Sequence, residues 1–244
     1  MLRIADPITA FLSECSSLPR PALLDVGAGS SSREAAESFS RLFVIAIDIS
    51  REKLSRIRDA RLHNLDLVNC SAHALPLRSG SIDCVTMILT LHELPRDLVE
   101  CVLREIARVI KPGQRLLVAD KAFRKPSKPS ERLPYLVEVA YHSTRRLLGL
   151  EPAVLMPRPP EKYIELLSRH LEIESVERRE LPWVEPQRFL SSWGRETKAL
   201  LNKLPEPQRT WIRILIERIE SEAREHGYGP TPAVIIVARK AASN

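Results

Sequence analysis

The chain has 244 residues, 44% of them apolar and 28% charged, with 5% aromatics and a formal net charge of +6. That is ample core material for one α/β domain with additions. No apolar run approaches the roughly 18 residues of a membrane span, and no basic-then-apolar leader opens the sequence. Cys15, Cys70, Cys84 and Cys101 form no CxxC pair and no His/Cys cluster. They are expected to be reduced, buried thiols of a cytoplasmic protein, with no metal site. Arginine outnumbers lysine 28 to 9, Asn and Gln together number seven, and there are 19 prolines. Few amides and many prolines point to a heat-adapted source. The charge is uneven, because residues 121–160 carry eight basic and three acidic side chains, +5 of the total.

In chain order, Pro7 opens a helix predicted over 7–18, and Pro19 and Pro21 break it. Leu23-Leu24-Asp25-Val26-Gly27-Ala28-Gly29-Ser30-Ser31 reads as a buried strand (22–28) entering a glycine turn. A helix follows over 32–43, with serines to cap it. A second strand, 43–48, ends in Asp48. This is the layout of a nucleotide-binding βαβ unit, but the third glycine of the dinucleotide pattern is missing and Asp25 closes the strand. A carboxylate there repels a pyrophosphate and suits a cationic, amino-acid-like group. The expected ligand is therefore a nucleoside that carries an amino acid and no phosphate, which points to S-adenosylmethionine.

A charged surface helix (50–61) and a weak strand (63–69) come next. The apolar run 81–91 is a strand buried on both faces. Val99, Val102, Leu103, Ile106 and Ile110 recur at helical spacing over 97–110, and Lys111-Pro112-Gly113 stops that helix. A fifth strand spans 115–122. Strands alternating with helices predict a doubly wound α/β fold with a mostly parallel sheet, and such sheets bind ligands at the carboxyl ends of their strands.

The alternation lapses after residue 122. A basic, proline-rich loop (123–132), a helix (133–149), an irregular stretch (152–160), a helix (161–171) and a strand (172–181) are expected. Helices at 186–203 and 206–226 and a last strand at 233–239 complete the chain. No internal repeat is visible.

Four segments carry a family resemblance: Leu24-Asp25-Val26-Gly27-Ala28-Gly29; Ile47-Asp48-Ile49-Ser50; Ala72-His73-Ala74-Leu75-Pro76-Leu77 followed by Ser81-Ile82-Asp83-Cys84-Val85; and Leu103-Arg104-Glu105-Ile106-Ala107-Arg108-Val109-Ile110-Lys111-Pro112-Gly113. With these the chain resembles the class I S-adenosylmethionine-dependent methyltransferases, in the branch that includes the ubiquinone/menaquinone C-methyltransferases. The likeness covers about residues 22–122, and 233–239 fits the family's antiparallel seventh strand. It implies one methyltransferase domain over 1–244. Residues 22–122 would be a cofactor-binding core within a seven-stranded Rossmann-like sheet, and helical insertions at 123–160 and 182–230 would form a substrate cover.

The resemblance also implies roles. Asp25 would accept from the methionine amino group, directly or through water. Gly27 and Gly29 would let backbone approach the ligand, Asp48 would take both ribose hydroxyls, and Ile49 would pack on adenine. The third segment departs from the family, because Ser71 and His73 stand where acids are common. Ser71 would bond adenine more weakly, while the amide of Ala72 or His73 would serve the ring. Leu89 to Leu94 ends the fourth strand, where the family places residues facing sulfonium and substrate, so Leu89 is expected at the cofactor. His92 is the candidate general base; the competing reading has His92 and Glu93 only orienting the next helix.

The expected reaction is methyl transfer to a small-molecule acceptor, yielding S-adenosylhomocysteine. An RNA or protein methyltransferase could instead use the basic face of Lys121, Arg124, Lys125, Lys128, Arg132, Arg145, Arg146 and Arg158 for RNA or another acidic partner. A non-catalytic scaffold that binds the cofactor is the reading from a different class. Trp183, Trp193 and Trp211 are expected in core or lid packing.

Overall fold

The computed structural model describes residues 5–59, 61–151 and 154–242. Seven strands, β1 (Ala22–Val26), β2 (Phe43–Asp48), β3 (Leu65–Asn69), β4 (Ile82–Ile88), β5 (Ile110–Lys121), β6 (Glu172–Leu181) and β7 (Thr231–Arg239), form one sheet in the order β3-β2-β1-β4-β5-β7-β6. β1 pairs in parallel with both β2 and β4, β2 with β3, and β4 with β5. β7 runs against β5: Gly113 N donates to Lys240 O at one end, and Ala122 N donates to Pro232 O at the other. The order reverses between β1 and β4, which sets the ligand crevice of such sheets at the carboxyl ends of these two strands.

The helices are α1 (Ala5–Ser16), α2 (Ser30–Ser38), α3 (Arg51–Ile57), α4 (Arg96–Val109), α5 (Pro129–Leu147), α6 (Pro160–Ser168), α7 (Pro186–Ser192), α8 (Arg195–Leu201) and α9 (Gln208–His226). Val99, Val102, Leu103, Ile106 and Val109 form the buried stripe of α4. β4 is buried along nearly its whole length, as its unbroken apolar run requires.

Several boundaries differ from expectation. α5 begins at Pro129, because proline suits a first helical turn, and the Ser127 N–H and hydroxyl donate to Glu131 there. The last four residues of the expected loop 123–132 are thus helical. The single helix expected over 186–203 is broken at Trp193-Gly194, where Gly194 takes φ +75°, a left-handed conformation that glycine adopts cheaply. The irregular stretch expected from 152 starts outside the described residues.

The cysteine expectation needs correction. Cys15 of α1 and Cys84 of β4 are joined by a disulfide with a Cα–Cα distance of 6.2 Å. They are 69 residues apart, so no local spacing announced the pair. Cys70 and Cys101 are free and half-buried.

The chain divides into two compact units. The first, residues 1–121, 159–179 and 234–244, contains most of the sheet. The second, 122–158 and 180–233, is chiefly helical. Its core gathers Leu133, Ala140, Phe189, Ile219 and Ala223. Phe189 stacks on Trp193 and Tyr228, with ring centroids 5.6 and 4.5 Å apart. Trp193 therefore packs as expected, whereas Trp183 and Trp211 are about half exposed.

Candidate cofactor site and active site

The turn after β1 is fixed by backbone and by a buried acid. Gly27 N and Ala28 N both donate to Ile47 O, at 3.0 and 2.9 Å. Gly27 sits at φ +84°, and a Cβ there would lie 2.1 Å from Thr90 Oγ1. Asp25 is buried and accepts from Ser32 Oγ and Thr86 Oγ1, both at 2.6 Å, and from Ser31 Oγ at 3.2 Å. Burial raises its pKa, and the three hydroxyl bonds oppose that rise. In the structure this carboxylate ties the glycine turn and the start of α2 to β4. Its visible partners are side chains of the protein.

At the end of β2, Asp48 Oδ1 accepts from Ser50 N at 2.7 Å. The Ser50 hydroxyl in turn caps α3 by accepting from Lys53 N. No partner for Asp48 Oδ2 is seen among the described residues. Asn69 Nδ2 donates to the carbonyls of Asp48 and Ile49, both at 2.9 Å, and pins this strand end. Ile49 is 76% exposed beside it. An exposed apolar side chain next to a carboxylate oxygen with acceptor capacity suits one face of a base and a sugar hydroxyl. Gly29 has no neighbour within 4 Å of where a Cβ would stand, so the turn borders open space. These features fit a nucleoside-bearing ligand.

After β3, Ser71 Oγ and His73 Nδ1 are 2.6 Å apart. The two departures from the family pattern are thus bonded to each other, with Ala72 half-buried between them.

The end of β4 is unusual. Leu89 takes φ +53°, a strained position for a residue with a side chain and one often found at functional sites. Its N–H donates to Ala119 O at 2.8 Å. A single 3-10 turn, Leu91–Glu93, follows. Within it His92 is 1% exposed. His92 Nδ1 lies 2.5 Å from Asp120 Oδ1, and His92 N donates to Asp120 Oδ2 at 2.9 Å. Among the described residues, no hydrogen-bond partner is seen for the buried His92 Nε2. Glu93 Oε1 is 4.0 Å from it, and Lys53 Nζ is 3.9 Å from Glu93 Oε2.

Asp25, Gly27, Gly29, Asp48, Ile49, Leu89 and His92 therefore all stand at or just beyond the carboxyl ends of β1, β2 and β4. Thr90 lies within the expected stretch 89–94, whereas Thr86 and Asp120 are additions from the structure. Asp120 had the signal that marked Asp25 and Asp48, an acid ending a buried strand.

The basic segment is partly neutralised within the chain. Arg124 pairs with Glu180 and Glu131, and Arg145 with Glu151 and Glu196. Lys125, Lys128, Arg132 and Arg146 are exposed. Among the described residues no helix is long and apolar enough to cross a membrane.

Residues 24–118 match the family model described as a methyltransferase domain. The Salmonella arizonae ubiquinone/menaquinone biosynthesis C-methyltransferase is 35% identical over 129 residues, covering 48% of this chain and 48% of that protein. The chain thus matches about half the length of such curated relatives. Among solved structures, the YcgJ protein of Bacillus subtilis superposes with a TM-score of 0.63 at 19% identity, covering 97% of this chain and 98% of that one. The [4+2]-cyclase SpnF superposes with a TM-score of 0.62 at 21% identity, covering 98% and 82%. The switch-point sheet defines a Rossmann-like fold of the kind seen in methyltransferases. Over residues 24–118 the chain is thus similar to methyltransferase domains.

Proposed function

We propose that the protein transfers a methyl group from S-adenosylmethionine to a small-molecule acceptor, with His92 as general base. The carrying observation is the convergence at neighbouring strand ends of the Gly27 turn, the uncommitted Asp48 Oδ2, exposed Ile49 and the unpartnered His92 Nε2. When bound, S-adenosylmethionine supplies an electrophilic methyl group. The chain's own residues bind and orient: Asp48 and Ile49 take the nucleoside, Gly27 and Gly29 allow close backbone approach, and Leu89 borders the reacting end. Asp25 acts by holding the turn, reaching the amino group at most through its hydroxyl partners or a water. Ser71, already bonded to His73, is a secondary adenine contact beside the amides of Ala72 and His73.

The helical unit, residues 122–158 and 180–233, is the proposed source of acceptor selectivity, since it lies outside the matched family segment. An RNA or acidic acceptor is less favoured, because two of its expected cations, Arg124 and Arg145, are committed to carboxylates. The Cys15–Cys84 disulfide removes the thiol argument for a reducing compartment. A cytoplasmic setting remains compatible with it in heat-adapted cells, whose intracellular proteins carry disulfides.

Calorimetric titration with S-adenosylmethionine and S-adenosylhomocysteine tests the reading. Micromolar binding to the wild type, weakened at least tenfold in Asp48→Ala, is expected. No binding to folded wild-type protein would refute it. Binding without transfer to any small-molecule extract would favour the scaffold reading.

A further inference from the structure

His92 is a buried imidazole whose two nitrogens have opposite surroundings. Nδ1 faces a fully buried carboxylate, and Nε2 faces no hydrogen-bond partner among the described residues. The proton arrangement follows from obligate donors. Asp120 Oδ2 accepts from the backbone N–H of His92 at 2.9 Å, and Oδ1 accepts from the backbone N–H of Lys121 at 2.7 Å. Neither backbone group can do anything but donate. The Asp120 carboxylate is therefore held as an acceptor at both oxygens, and the third group against it, Nδ1, is the ring's donor. A neutral imidazole that donates from Nδ1 carries a bare lone pair on Nε2.

From this we infer that Asp120 is a positioning residue. It fixes the tautomer and orientation of His92 so that Nε2 is the basic atom, and the acceptor taken by the site is one that surrenders a proton. The inference rests on the proposed methyl transfer and narrows its substrate class to acceptors that carry a proton to give up: a hydroxyl, a thiol, an N–H group or an acidified carbon centre. The acceptor's new bond forms to the methyl carbon, and the sulfur–methyl bond breaks with its electron pair left on sulfur. The acceptor's proton passes to Nε2. Asp120 then stabilises the imidazolium it has oriented. Glu93, 4.0 Å from Nε2 and itself near Lys53, is the other ionisable group facing the ring. It is partly exposed. A purely structural role for Asp120 would be met by the two backbone donors and Nδ1 alone, whatever Nε2 faces. The buried, unpartnered Nε2 is what that role does not explain.

The test is nitrogen-detected NMR of full-length protein with 15N-labelled histidine and saturating S-adenosylhomocysteine, with His92 assigned by its loss in His92→Gln. In the wild type the expected signature is a protonated, pyrrole-type Nδ1 and an unprotonated, pyridine-type Nε2. Asp120→Asn, which sets an amide donor among three N–H groups, should shift His92 toward the Nε2-protonated form. A wild-type spectrum with Nε2 protonated would overturn the proposal without any variant having to fold. So would an Asp120→Asn spectrum unchanged from the wild type. Failure of S-adenosylhomocysteine to bind by calorimetry would instead sink the methyl-transfer reading, and the tautomer would still be readable.

Discussion

The two glycines of the turn after β1 look alike in sequence and differ in what they do. Gly27 combines φ +84° with a Cβ position 2.1 Å from Thr90 Oγ1. Gly27→Ala therefore meets both left-handed strain of about 1–2 kcal/mol and a collision with the loop that carries His92. It should lower stability by at least ~2 kcal/mol, read as a drop in the urea midpoint. Gly29 has an extended backbone, φ −150°, and open space at its Cβ position. Gly29→Ala should unfold within ~0.5 kcal/mol of the wild type yet bind S-adenosylmethionine at least tenfold more weakly. Unchanged affinity would mean that the ligand does not approach this turn. Sequence reading could see both glycines, and it could see Asp25 and Asp48 as acids on buried strands. It could not see that Asp25 is ringed by hydroxyls, one of them on Thr86, 61 residues away. Nor could it pair His92 with Asp120 across 28 residues, because such partners are chosen by strand order and no local pattern records them.

Whole elements were legible where one physical rule dominated. The apolar run of β4 and the stripe of α4 state their structure locally, whereas Lys111-Pro112-Gly113, expected only as a helix stop, lies within β5, which starts at Ile110 and not at 115. The break between α7 and α8 depends on one left-handed glycine, and the α1–β4 crosslink depends on tertiary approach. That crosslink closes a long loop, and a loop of this length restricts the unfolded chain by up to about 4 kcal/mol. Equilibrium denaturation with and without a thiol reductant should show the reduced protein less stable, and Cys15→Ala/Cys84→Ala should no longer respond to the reductant. A midpoint indifferent to reductant in the wild type would mean that the bond adds no stability.

α5 offers a second element-scale test. His142 is buried between Glu138, 3.3 Å from Nε2, and Glu151, 2.7 Å from Nδ1. Burial disfavours the imidazolium, but hydrogen bonds and charge from Glu138 and Glu151 outweigh it and raise the pKa from 6.5 to about 9. Because the folded-state value is the higher one, the stabilisation is fully present below pH ~6.5 and is lost as pH rises through about 9. At most ~3 kcal/mol is at stake. Between pH 6 and pH 10 the wild type should lose more unfolding free energy than His142→Gln. Parallel pH profiles for the two proteins would remove the imidazolium from the account.

For the whole molecule, composition and structure meet in heat resistance. The scarcity of amides and the count of prolines have structural counterparts in linked ion pairs and a buried crosslink. Arg33 bridges Glu37 and Asp59, which also holds Arg61. Glu100 joins Arg169 and His170, and Arg169 reaches Glu165. Arg145 spans Glu151 and Glu196. Each exposed pair alone contributes ~0–1 kcal/mol near room temperature. Linked pairs matter more on heating, because the desolvation penalty of charges falls as temperature rises. The oxidised protein should therefore melt above the roughly 45–65 °C range of mesophilic domains. Raising sodium chloride to ~1 M shortens the screening length to about 3 Å, so the midpoint should fall if these networks contribute. A midpoint inside the mesophilic range would break the link between composition and heat adaptation. A high midpoint insensitive to salt but lowered by reductant would assign the resistance to the α1–β4 crosslink, with the surface charges then serving solubility.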